Sequence, residues 1–188
     1  PGAWLRWGGE ATLRFSTADR SQVYNVTTWT QVRNVTFYAG GSFKDFNALV
    51  AGRGIGEQDW TGYQEGNYDA AVAVYLKKGW VLKLATHGTR QRDVPRTDKC
   101  KDTDFRYFRK QERDLVYAKL GGRAGKTVDR LELTLSYQRH REKRDRFRLT
   151  RDRIEYENDF VHTAGFALVG GSDLGRWSKL AWGLDVYF

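Results

Sequence analysis

Few side chains in this sequence could do covalent chemistry, and their spacing does not gather them. The histidines are three, His87, His140 and His162, each on a different predicted strand. No HExxH, GxSxG or P-loop spacing occurs. His87, Ser42 and Asp45 have the residue types of a hydrolase triad, but nothing in the order of the chain brings them together. Cys100 is the single cysteine, so this chain by itself builds no disulfide and no cysteine-based zinc site. We assign no catalytic residue, no metal ligand and no cofactor, and the chain is expected not to be an enzyme.

Recognition chemistry is better represented. The stretch "EQDWTGYQEGN" sets Trp60, Tyr63 and Gln64 beside acidic neighbours, and aromatics next to polar groups make adaptable ligand contacts. In "RQRDVPRTDKC" Pro95 stiffens the chain while Arg92, Arg96 and Asp98 cluster. Arg96 either meets an anion or pairs with Asp98. The third stretch is "YQRHREKRDRFRLTRDR", residues 137–153. It holds eight Lys or Arg and three Asp or Glu, so it supplies +5 of the chain's net +9. Its charges are interspersed and few aromatics are free to stack on bases, which argues against nucleic acid. It reads as a solvated extension, as a basic funnel for an anionic ligand, or as a phosphate-binding surface. Arg139, Arg141, Lys143 and Arg144 would then be the contacts, since arginine offers bidentate donors of fixed charge.

The elements that must carry these residues are strands. The chain has 188 residues, enough for one domain spanning 1–188, with 14% aromatics, 20 Gly and only 2 Pro. That mixture suits a β protein with tight turns and not a disordered basic tail. Apolar residues recur at every second position. Tyr68, Ala70, Val72 and Val74 share a face, as do Trp80, Leu82 and Leu84. Leu131, Leu133, Leu135 and Tyr137 oppose Glu132, Thr134, Ser136 and Gln138. Leu180, Trp182, Leu184 and Val186 oppose Gly183 and Asp185. Short connections ("QVRN", "KKG", "GGRAGKT", "GSDLGR") alternate with other, mostly long ones along about nine strands. Some strands, over 105–120 and 127–145, run far past the usual length. No run of about 18 apolar residues exists to form a membrane helix, but a membrane strand needs only alternation. The odd strand count and the lack of Met suggest a piece of a longer protein.

The chain resembles the β-barrel of TonB-dependent outer-membrane receptors. The likeness is carried, in order, by "RFSTADRS" (14–21), "WTGYQEGNYD" (60–69), "QRDVPRTD" (91–98), "RKQERDLVYAKL" (109–120) and "AWGLDVYF" (181–188). It implies an all-β fold: an antiparallel up-and-down meander forming an open, curved wedge of a 22-stranded transmembrane barrel. Plug, TonB box and signal peptide are absent from this stretch. The implied function is active import of a scarce ligand such as a ferric siderophore, cobalamin or a saccharide. The implied partners are outer-membrane lipid and lipopolysaccharide, the TonB complex through the plug, and the imported ligand. The implied location is the outer membrane of a Gram-negative bacterium. Connections near 18–21, 52–66, 92–104 and 144–151 would be extracellular, and those near 32–34, 77–79, 121–126 and 171–176 periplasmic. Under that topology Trp60, Tyr63, Gln64, Arg92, Arg96 and Asp98 would meet the ligand. Arg139, Arg141, Lys143 and Arg144 would meet outer-leaflet phosphates. Trp80 and Trp182 would sit in an interfacial girdle. The other classes consistent with the alternation are a passive porin-like channel and a soluble basic β domain that binds polyanions.

Overall fold

A computed structural model describes residues 5–52, 54–95, 105–125, 128–148, 153–175 and 178–188. Among the described residues eleven strands follow one another: β1 (Leu5–Phe15), β2 (Gln22–Val32), β3 (Val35–Phe46), β4 (Leu49–Val50), β5 (Glu57–Gln58), β6 (Tyr63–Tyr75), β7 (Val81–Pro95), β8 (Phe105–Gly122), β9 (Arg130–Arg148), β10 (Arg153–Asp173) and β11 (Lys179–Tyr187). A 3-10 turn at Lys77–Gly79 separates β6 from β7, and there Lys78 and Gly79 take φ of 61° and 77°. Nine strands form one antiparallel sheet in the order β1-β2-β3-β6-β7-β8-β9-β10-β11. Within this sheet each strand pairs with the sheet strands before and after it in the chain, so the sheet is a meander, and β1 and β11 remain as open edges. β4 and β5 form a separate small hairpin inside the β3–β6 connection.

The strands are longer and the connections shorter than the sequence suggests. β6 begins at Tyr63, so Tyr63 and Gln64 belong to a strand and not to a loop reaching residue 66. β7 continues to Pro95. β9 runs to Arg148 and β10 resumes at Arg153, so the basic stretch is mostly ladder rather than a long loop. Its alternating charges find opposite charges across the ladder: Arg144 Nη1 lies 2.9 Å from Glu157 and Arg146 Nη1 lies 3.9 Å from Glu155. The connections nevertheless alternate between the two ends of the sheet. β2–β3, β6–β7, β8–β9 and β10–β11 are joined at one end, and β1–β2, β3–β6, β7–β8 and β9–β10 at the other.

Register sorts the side chains into two unlike faces. One cross-strand row takes one residue from each strand: Leu5, Val32, Val35, Val74, Leu82, Leu120, Leu133, Leu168 and Leu184. Every member is Leu or Val. The next row on that face is Trp7, Thr30, Phe37, Val72, Leu84, Ala118, Leu135, Phe166 and Val186. The opposite face holds Thr36, Lys83, Lys119, Thr134 and Asp185 at matching heights.

Among the described residues no hydrophobic side chain is buried; the buried polar ones are Ser21, Glu112 and Ser172. The accessible surface is 13561 Å². A compact folded chain of 21.7 kDa would expose only about 9,200 Å². The excess follows from a single-layer sheet with both faces uncovered.

Candidate functional site: two faces and a charged upper border

The apolar face is bounded at the short-connection end by aromatic rings seated on glycines. A Cβ on Gly170 would lie 2.1 Å from Trp182 Cζ2, and one on Gly122 would lie 2.4 Å from Trp80 Cδ2. Gly170 pairs with Trp182, and Gly122 pairs with Leu131, itself opposite Gly170, so the two Trp lie at nearly the same level. Gly88 receives the ring of its partner Tyr68 in the same way towards the other end. Glycine is needed at these points because any side chain would displace the ring.

Moving up this face, the first charged or amide side chains are Gln22 on β2, Asp45 on β3 and Gln64 on β6. On β7 the border comes one row lower, at Arg90. On β8 and β9 it is lower again, at Asp114 and Arg139. The border is therefore oblique to the rows of hydrogen bonds.

Above the border, β7, β8 and β9 present a grid of nine positions on this face: Gly88, Arg90 and Arg92; Asp114, Glu112 and Lys110; Arg139, Arg141 and Lys143. Six are cationic and two anionic, a local balance of +4. Asp114 is the hub. Tyr68 Oη donates to Asp114 Oδ1 at 2.7 Å, Arg90 Nη2 donates to Oδ1 at 2.5 Å, and Arg139 Nη2 donates to Oδ2 at 2.8 Å. Glu112 is met by Lys110 at 2.5 Å and by Arg90 at 3.7 Å. The Arg141 guanidinium lies 4.8 Å over the Phe160 ring, and its Nε is enclosed without a hydrogen-bond partner among the described residues.

The other face at this level is polar but balanced. Glu65 accepts from Lys44 Nζ at 2.6 Å, Asn67 Nδ2 at 2.7 Å and Gln91 Nε2 at 2.6 Å. Thr89 Oγ1 donates to Asn67 Oδ1 at 2.9 Å. Gln111 Nε2 donates to Glu142 at 3.1 Å, His140 Nε2 lies 3.3 Å from the same carboxylate, and Arg113 donates to Gln138. Most of these groups answer one another, which makes a wall suited to water or a polar solute.

The candidate residues from the sequence fall in several places. Gln64 and Arg92 are direct cross-strand partners. With Phe43 and Arg90 they line a recess of about 210 Å³ on the side of the apolar face. Tyr63 points to the other face, where its ring lies 4.8 Å from that of Phe46. Trp60 is exposed in the connection between β5 and β6, at φ 64°. Arg96, Asp98 and Cys100 lie outside the described residues. Arg139, Arg141 and Lys143 share the apolar face's side. Arg144 is on the opposite face, beside Glu142 and Glu157, so the four do not form one surface. Asp45 is on the opposite face from Ser42 and His87, which separates that set of triad residue types. Among the described residues no group of three or more His, Cys, Asp or Glu is placed to hold a metal.

The Asp114 junction and the Glu65 network went unnoticed in the sequence. Their members are one to three strands apart and only register joins them. At the upper end, loop 16–21 is closed by Asp19, whose carboxylate accepts from Ser21 N at 3.1 Å. Hydrogen bonds from Ser21 and then Ser16 hold this carboxyl below the usual carboxylate range. The 47–62 connection leans on the same loop through Val50 N to Ala18 O at 2.8 Å and Asn47 Nδ2 to Arg20 O at 3.1 Å.

No known protein family, curated protein or solved structure matches this chain.

Proposed function

We propose that this chain is a wedge of a transmembrane β-barrel, with the Leu/Val face towards lipid and the polar face towards the lumen. One observation carries the reading: a nine-stranded sheet with a continuous apolar face and, among the described residues, no buried hydrophobic side chain. A water-soluble domain covers such a face with a second layer. Here the long strands are all spent in one layer.

The dimensions support the reading. On β2 the apolar run from Val32 to Tyr24 rises eight residues, about 27 Å along the strand. The border drops by four residues, about 13 Å, across the five strand spacings from β2 to β9, about 24 Å. A flat band crossing strands tilted by roughly 30° gives that slope, close to the 35–45° of membrane barrels. At that tilt the run spans about 23 Å of depth, against about 25 Å for the lipid-facing band of such barrels. Trp80 and Trp182, at one level, fit an interfacial girdle.

The finer reading, an outer-membrane receptor importing a scarce ligand through the TonB complex, rests on the ordered sequence likeness. The end where β1 joins β2, β3 joins β6, β7 joins β8 and β9 joins β10 would face outward. A plug-like domain encoded ahead of this segment supports the receptor; its absence leaves a passive channel.

The membrane reading is tested by quenching in single-tryptophan variants of the whole barrel to which this wedge belongs, in phosphatidylcholine vesicles. Trp7, 77% exposed on the apolar face, is expected to be quenched by bromine carried on lipid tails. Trp29, on the polar face, is expected to respond to aqueous iodide. The same response to both quenchers at both sites would refute the assignment of faces.

A further inference from the structure

We infer that the cationic grid on the apolar face's side is a seat for the phosphates of anionic lipids, with Arg92, Arg141 and Lys143 making the contact. This deepens the membrane reading above and rests on it. The sequence alone suggests a different set, Arg139, Arg141, Lys143 and Arg144, and the geometry changes it in three ways. Arg144 faces away, towards Glu142 and Glu157. Arg139 is held on Asp114, which it shares with Arg90. Arg92 joins from β7, two strands away, because it pairs with Lys110, which in turn pairs with Lys143.

Charge balance selects the three. On this patch Arg90, Lys110 and Arg139 are taken up by Asp114 and Glu112. Among the described residues neither Arg92 nor Lys143 has a carboxylate partner, whereas Arg141 stands directly across from Glu112, already met by Lys110 and Arg90, with the Phe160 ring on one side and an unused Nε. The opposite face at the same height pairs Lys44 with Glu65 and His140 with Glu142. The surplus positive charge therefore sits on the side away from the polar face, above the last apolar residues of β8 and β9, Val116 and Tyr137.

An anion seated there would have to lie beside an apolar band. The phosphate layer of a membrane leaflet does so, immediately outside the hydrocarbon. The cations are four to six residues above Tyr137, about 13–20 Å along the tilted strand, and long side chains reach down towards the headgroups. Arginine meets phosphate with two parallel N–H donors and lysine with a point charge.

The test uses the whole barrel to which this wedge belongs, in vesicles of phosphatidylcholine containing a trace of spin-labelled phosphatidylglycerol or spin-labelled phosphatidylcholine. The motionally restricted fraction gives the preference for the anionic lipid. The wild-type chain should prefer phosphatidylglycerol. Each of Arg92→Gln, Arg141→Gln and Lys143→Gln should lower that preference by up to about fivefold. The triple variant should abolish it. Arg113→Gln removes the same charge from the opposite face and should leave the preference intact.

Equal restriction of the two lipids by the wild-type chain would overturn the inference. So would a triple variant that keeps the preference, or an Arg113→Gln loss as large as that of Arg141→Gln. Abolition by excess inorganic phosphate at constant ionic strength would also overturn it, because the site would then be one for free anions. Trp7 quenching in the same vesicles separates the two layers of argument. Quenching by lipid bromine without lipid preference defeats this inference alone. Failure of Trp7 quenching defeats the membrane reading and this inference together.

Discussion

Leu133→Arg puts a charge in the row that holds Leu or Val on every strand. Leu133 lies between Leu120 and Leu168. It is one residue from the midpoint of the apolar run 131–137 on β9, so its side chain would be about 3 Å from mid-band. An arginine facing lipid near the midplane costs about 2–4 kcal/mol. That lowers the folding equilibrium by roughly 30- to 700-fold. Thr134→Arg is the matched control, on the opposite face at the same depth. Its cross-strand partners are Lys119 and Ala167, so it meets one like charge and should lose no more than about 1 kcal/mol. The assay is reversible urea unfolding of the whole barrel in phosphatidylcholine vesicles, followed by tryptophan emission. If the apolar face met water instead, both substitutions would fall within the span of strand propensity, about 1 kcal/mol. Equal losses, or a larger loss for Thr134→Arg, would refute the assignment of faces.

Three further outcomes follow from particular contacts. Gly88→Ala should push the Tyr68 ring aside, break its hydrogen bond to Asp114 and cost about 1–3 kcal/mol, whereas Gly66→Ala, whose Cβ would meet nothing within 4 Å, should be tolerated. Urea midpoints of the two variants decide this. Arg144→Gln and Glu157→Gln break a partly exposed ion pair and should each cost less than about 1 kcal/mol, with the loss shrinking in high salt. Because the folded-state pKa of Asp19 is depressed, its hydrogen bonds favour the closed 16–21 loop above the ordinary carboxylate pKa. That contribution should fade as pH falls through the lowered value. Amide exchange at Ser21 read across that range checks the direction, and faster exchange at higher pH, beyond the intrinsic rate, would contradict it.

Strand alternation was legible because its period is a property of the extended backbone, whatever the strand packs against. The runs at 68–74, 131–137 and 180–186 therefore announced both the strands and their apolar sides. At four connections the turns are too short to allow anything but neighbour pairing, and for the strands joined by longer connections the pairing was decided by the sheet. Strand ends were less legible. Polar alternation beyond the apolar run looks like loop until a partner strand supplies opposite charges, as Glu155 and Glu157 do for Arg146 and Arg144.

Register alone could do the rest. It turned the basic stretch 137–153 into two surfaces, sending Arg139, Arg141 and Lys143 one way and His140, Glu142 and Arg144 the other. It joined Tyr68, Arg90, Asp114 and Arg139 from four strands around one carboxylate, and set Arg92 beside Lys110 and Lys143. It also laid nine Leu and Val side by side while leaving none of them buried. A sequence fixes which side chains alternate, because that depends on each strand by itself. Which charges meet, and what each face is left to meet, depends on how far one strand slides against the next. That is decided by the whole sheet.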